Sequence, residues 1–144
     1  MIYCRYNGVR GSTLIDTGAS CNLIKSEFLS EICGSIHNVE IKPTTSNINC
    51  ANNSTLDCMG TVDLPFSIGS SYSVQRFYVV DNLPASVKSI LGIWTMKALG
   101  VKIYLNNDNV RCQNICIPFE NRIAKATTVA CNINGSKNCS TLRM

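Results

Sequence analysis

The chain has 144 residues, of which 15% are charged and 45% hydrophobic, and it carries a net charge of +4. That composition excludes a disordered chain and suits one domain with a substantial core. The basic residues are dispersed and no apolar stretch approaches membrane-spanning length, so neither a nucleic-acid partner nor a membrane partner is expected of this domain.

The first element is expected to be a β-hairpin. Ile2-Tyr3-Cys4-Arg5-Tyr6 is β-prone, and Asn7-Gly8 is a strong signal for a two-residue type I′ turn. Residues 9–15 then return as the second strand and deliver Asp16-Thr17-Gly18 at its end. Residues 22–29, with Leu23, Ile24, Phe28 and Leu29, read as a short strand running into a helical turn. Residues 49–58 read as a polar hairpin with an Asn-rich tip.

Val62, Leu64, Phe66 and Ile68 then alternate with other residues, the period of a half-buried strand. Pro65 inside that run predicts an edge position. Gly69-Ser70-Ser71 turns the chain into a further strand over residues 74–80. Ser89-Ile90-Leu91-Gly92 is a short apolar strand ended by glycine. Residues 93–99 form a helix, with Gly100 placed as its C-terminal cap, and residues 101–105 form a last strand. Beyond residue 112 periodicity fades, so 1–112 is expected to be the folded domain and 113–144 a linker or tail.

The nine cysteines are an odd number, and no long apolar leader opens the sequence. Free thiols in an intracellular chain are the simplest expectation. Zinc is disfavoured, because no CxxC pair exists and His37, the only histidine, is far from the clustered Cys112 and Cys116. No metal or cofactor is expected.

As a bare tripeptide, Asp-Thr-Gly is most often a turn. Here the carboxylate follows Thr13-Leu14-Ile15, a run that should be buried, and an isolated buried carboxylate is costly. One way to hold it is to share a proton with a second acid. Such a pair keeps one proton and one charge over a wide pH range. The ionised member can take a proton from water while the protonated member donates to a carbonyl, which is general acid–base hydrolysis.

Leu14-Ile15-Asp16-Thr17-Gly18-Ala19-Ser20 resembles the active-site motif of the retroviral-type aspartic proteases, the retropepsins of retroviruses and LTR retrotransposons. Ser89-Ile90-Leu91-Gly92 and the helix after it resemble that family's second signature, in the expected order. The resemblance covers roughly residues 2 to 110. It implies a mostly β, closed-barrel fold with one short helix near residues 93–99.

It also implies that Asp16, Thr17 and Gly18 are the catalytic motif and that Ala19 and Ser20 line the floor of the site. The hairpin around Ala51, Asn52, Asn53 and Ser54 would be a flap closing on peptide. Ile90, Leu91 and Gly92 would support the catalytic loop from beneath. There is one Asp-Thr-Gly, and Asp57, Asp63, Asp81 and Asp108 lie in turn or solvent-facing contexts. One chain would therefore supply one aspartate, and the resemblance implies a symmetric homodimer.

The implied activity is aspartic endopeptidase, acting on an extended peptide or the element's own polyprotein, in the cytoplasm or in retroelement particles. Ile93 stands where many retroviral members have Arg, which favours a retroelement. Two alternatives remain open: a host-derived protease domain of the same fold, and a catalytically silent dimerisation or peptide-binding module.

Overall fold

The computed structural model describes residues 1–35, 38–45, 47–50, 54–84, 86–120 and 131–132. Strands β1 (Ile2–Tyr6) and β2 (Val9–Ile15) form the expected hairpin. Asn7 and Gly8 both have positive φ, 49° and 83°, as a type I′ turn demands of its two central residues.

After a loop come β3 (Leu23–Lys25) and α1 (Ser26–Cys33). Two turns of helix thus stand where the sequence predicts only a helical turn, which adds a second helix to the expected one. Phe28, Leu29 and Ile32 form its buried face, at helical spacing. Next are β4 (Ile48–Cys50) and β5 (Thr55–Leu56), an antiparallel pair at the predicted polar hairpin. The long hairpin β6 (Cys58–Ile68) and β7 (Ser71–Val80) follows, then β8 (Ser89–Leu91) and α2 (Ile93–Leu99).

Six of these strands close a barrel in the order β1-β2-β8-β3-β7-β6. Pro65 therefore lies in a strand with neighbours on both sides, not at an open edge. Its carbonyl accepts from the Asn7 N–H at 2.7 Å, at the point where β1 ends, so its missing donor falls opposite a turn. Tyr6 fills the barrel's centre. Its ring meets Phe28, Phe66 and Phe77 at centroid distances of 5.2, 5.2 and 5.6 Å, in edge-on geometry.

A second sheet is formed by β9 (Lys102–Tyr104), β10 (Asn109–Cys112) and β11 (Ile115–Pro118), in the order β11-β10-β9. The boundary expected at residue 112 thus falls inside a hairpin. Phe119 beyond it joins the main core, and the Glu120 N–H donates to the Met1 carbonyl at 2.6 Å. The two-residue strand β12 (Cys131–Asn132) pairs with β4.

Candidate active site

β2 is buried from Gly11 onward and ends at Ile15 against the core. Asp16 follows with no exposed surface, and among the described residues it is the one buried acid. Asp57, Asp63, Asp81 and Asp108 are all exposed. Two backbone bonds and one to its carboxylate fold the loop tightly around Asp16. Its N–H donates to the Leu91 carbonyl at 3.1 Å, and its own carbonyl accepts from the Ala19 N–H at 3.0 Å. Its carboxylate Oδ1 accepts from the Gly18 N–H, also at 3.0 Å. Thr17, Gly18 and Ser20 reach the surface, whereas Ala19 is fully buried. Ala19 therefore packs beneath the loop, in a cluster with Leu14, Leu23, Ile48 and Ile90.

β8 is the wedge that fixes this loop. It lies parallel to β2, with Ile90 opposite Leu14 and Leu91 opposite Ile15, and antiparallel to β3, with Ile90 opposite Leu23. Both strands that flank the Asp16 loop are thereby tied to one strand from late in the sequence. Ile90 and Leu91 are fully buried on it. Gly92 comes so close to the loop that a Cβ would lie 2.7 Å from the Cys21 carbonyl oxygen and 3.0 Å from that of Ala19. Only glycine fits such an approach. The Ile93 N–H then donates to the Ala19 carbonyl at 2.8 Å.

Asn22 is not among the residues that the sequence singles out, yet it joins the parts of the site. Its Oδ1 accepts from the Gly92 N–H at 2.9 Å. Its Nδ2 donates to the Thr95 hydroxyl at 2.7 Å and to the Arg76 carbonyl at 3.0 Å. Its backbone carbonyl accepts from the Tyr78 N–H at 2.8 Å. One buried amide thus links the loop, the start of α2 and β7. Thr95 passes the chain on by donating to Gln75 Oε1 at 3.1 Å. A polar residue among turn-like neighbours gives no signal of this, because every side-chain partner is distant in sequence.

A shallow depression of about 160 Å³ opens beside the loop, between Ser20, Gln75, Arg76 and Tyr78. Burial pushes the Cys21 thiol up to about 12, so Cys21 stays a neutral filler at ordinary pH. On the β4–β5 hairpin, Ile48 is fully buried in the same cluster as Ala19, Cys21 and Ile90, so the base of the hairpin packs against residues that flank the Asp16 loop. Ser54 is exposed, and its carbonyl accepts from the Cys50 N–H at 2.7 Å. Ala51, Asn52 and Asn53 lie outside the described residues. Among the described residues no group of three or more His, Cys, Asp or Glu side chains is placed to hold a metal ion. Nor is any of their helices long and apolar enough to cross a membrane.

Residues 2–94 match the family model described as "Aspartyl protease". No curated protein matches the sequence significantly. Among solved structures, the fold is similar to the retroviral protease-like domain of Ddi1 from Leishmania major. That likeness has 20% identity, covers 83% of this chain and 90% of the other, and gives a TM-score of 0.62. It is also similar to the EIAV protease complexed with the inhibitor HBY-793, at 16% identity over 72% of this chain and 89% of the other, with a TM-score of 0.54. At these identities the two structures speak for a retropepsin-like fold.

Proposed function

Because the chain belongs to the aspartyl protease family, we propose that it is an aspartic endopeptidase whose active site forms between two copies of the chain. One observation carries this reading: the sole buried acid among the described residues sits at the tip of a tight loop whose next two residues, Thr17 and Gly18, reach the surface. A second Asp16 brought to that surface would share one proton with the first. The ionised carboxylate takes a proton from water as its oxygen attacks the peptide carbonyl carbon. The protonated carboxylate gives its proton to the carbonyl oxygen. Collapse of the tetrahedral intermediate breaks the C–N bond: the amine takes the proton that the first carboxyl received from water, and a hydroxyl of the intermediate returns a proton to the second carboxylate as the acid forms.

In this reading Thr17 braces the paired loops and Gly18 lets them approach closely. Ser20 borders the bound peptide, and Ala19 holds the floor from below. Ser54, with Ala51, Asn52 and Asn53, belongs to the closing flap. Ile90, Leu91 and Gly92 keep the loop in place. The substrate is an extended peptide, held by backbone pairing as an added strand, and a retroelement polyprotein is its proposed source. The likeness to a Ddi1 domain favours a second origin, a host-derived protease domain of the same mechanism.

The test is cleavage of a peptide library at acidic to neutral pH by the protein and by Asp16→Asn. Loss of cleavage in a variant that still folds is expected. Cleavage that survives Asp16→Asn would overturn the mechanism, and sedimentation showing only monomer at high concentration would overturn the shared site.

A further inference from the structure

Strands β1 and β2 carry two arginines directly opposite one another, Arg5 and Arg10. Opposite residues of an antiparallel pair lie on the same face, here the outer one, and both arginines are exposed. Ser67 of β6 stands opposite Arg5 on its other side, so its side chain shares that face. Strand β11 forms a wall, because a Cβ on Gly69, in the β6–β7 turn, would lie 3.5 Å from Ile117 Cδ1. Tyr3, Arg5, Arg10, Ser67, Gly69 and Ile117 border a depression of about 190 Å³.

Like charges directly opposite one another destabilise a strand pair. Nothing on the protein cancels these two. Among the described residues neither guanidinium has an ion pair, and Asp63, the acid on β6, is held by Arg76 at 3.1 Å. Each arginine is oriented by other means. The Arg10 guanidinium stacks over the Tyr3 ring, 3.6 Å from its centroid, which leaves its in-plane N–H groups free. Arg5 Nη1 donates to the Gly8 carbonyl at 3.3 Å, which fixes its direction at the cost of one donor. The face thus holds two oriented cations with most of their donors unspent, beside a hydroxyl.

We propose that this depression binds a phosphate monoester dianion through the guanidinium forks of Arg5 and Arg10 and the Ser67 hydroxyl. The donor set favours phosphate over carboxylate. One arginine fork satisfies both oxygens of a carboxylate, whereas two forks on separate strands and a hydroxyl match the three oxygens of a phosphoryl group. The volume lies below the range of about 300–1,000 Å³ for drug-sized ligands and suits one such group. The depression lies at the turn end of the first hairpin, whereas Asp16 follows the opposite end of β2, about 20 Å away along the strand. The proposal is therefore independent of the proposed catalysis.

The test is an NMR titration of the full chain's backbone amides at constant ionic strength. The probes are inorganic phosphate and two short peptides, one with phosphoserine and one with serine in its place. Shifts confined to the surroundings of Arg5, Arg10, Ser67 and Gly69, saturating with a Kd on the order of 1 mM or tighter, are expected. Arg5→Gln and Arg10→Gln, at exposed positions and checked for folding by the same spectra, should each weaken binding by about tenfold or more, as loss of a charge-assisted contact requires. Arg10→Lys keeps the charge but not the fork and should weaken it as well. Lys97→Gln removes an equal charge elsewhere and should leave binding unchanged.

Tighter binding of the phosphoserine peptide than of inorganic phosphate assigns the group to a phosphorylated chain, and the reverse assigns it to free phosphate. Shifts that climb without saturating overturn the proposal. So do equal binding of the serine and phosphoserine peptides together with no response to inorganic phosphate, unaltered binding in both glutamine variants of the pair, and equal weakening by Lys97→Gln.

Discussion

Replacing Asn22 by Ala tests whether one amide holds the site together. The substitution removes three side-chain bonds, two of them buried, to the Gly92 N–H and the Thr95 hydroxyl, and one part-buried, to the Arg76 carbonyl. A buried polar group left without a partner costs about 1–3 kcal/mol. Water can reach the Arg76 carbonyl but not readily the Gly92 N–H, so the expected loss is about 2–4 kcal/mol. With a urea m-value of about 2 kcal/mol per M, the unfolding midpoint should fall by about 1–2 M. Protein concentration must be held fixed, because dimerisation would itself shift the midpoint. Asn22→Asp keeps the acceptor for Gly92 but turns a buried charge toward the Arg76 carbonyl, and should cost at least as much. A loss below about 0.5 kcal/mol in either variant, the range of ordinary surface changes, would refute the linking role.

Gly92→Ala should destabilise by about 1–3 kcal/mol, because its methyl would meet backbone carbonyls that cannot rotate away; amide exchange at Ala19 and Ile93 should rise with it. Tyr6→Phe keeps the aromatic packing and loses the bond to the Thr13 hydroxyl, so a denaturant midpoint equivalent to a loss of about 1 kcal/mol is expected. Burial pushes the thiols of Cys4 and Cys21 from 9.0 up to about 12. The unfolded chain releases those protons near pH 9 while the folded chain keeps them, so stability should fall as pH rises from about 9 to 12. Each thiol contributes on the order of 1 kcal/mol per pH unit, and Cys21→Ala should flatten the measured slope by one such share. In native protein at pH 8, iodoacetamide should label the exposed Cys116 well before Cys4 or Cys21.

The hairpin of β1 and β2 is legible in the sequence because Asn7-Gly8 and the flanking β-prone runs are local signals. The same holds for Asp16-Thr17-Gly18 and for the helix after Gly92, where short-range chemistry decides the backbone. Helix α1 is only half legible, since eight residues give barely two repeats of a helical face. The β10–β11 hairpin escapes a reading of the sequence. Its turn residues, Gln113 and Asn114, have positive φ of 49° and 67°, but Gln is a poor marker for that geometry and the strands alternate weakly. The place of β8 between β2 and β3, and the hub at Asn22, depend on residues some 70 positions away. No window along the chain contains both ends of such a contact.

That placement of β8 has a consequence for synthesis. A nascent chain that has emerged only to residue 88 already carries the Asp16 loop but lacks the strand to which both its flanks are tied. Closing so long a loop is a late and slow event compared with forming the local hairpin. The fold therefore carries its own delay: a ribosome that stalls, or a message cut short before the codon for Leu91, yields a protein with the motif and no working geometry. If the chain is the endopeptidase proposed, its hydrolytic capacity is withheld until translation has passed that strand.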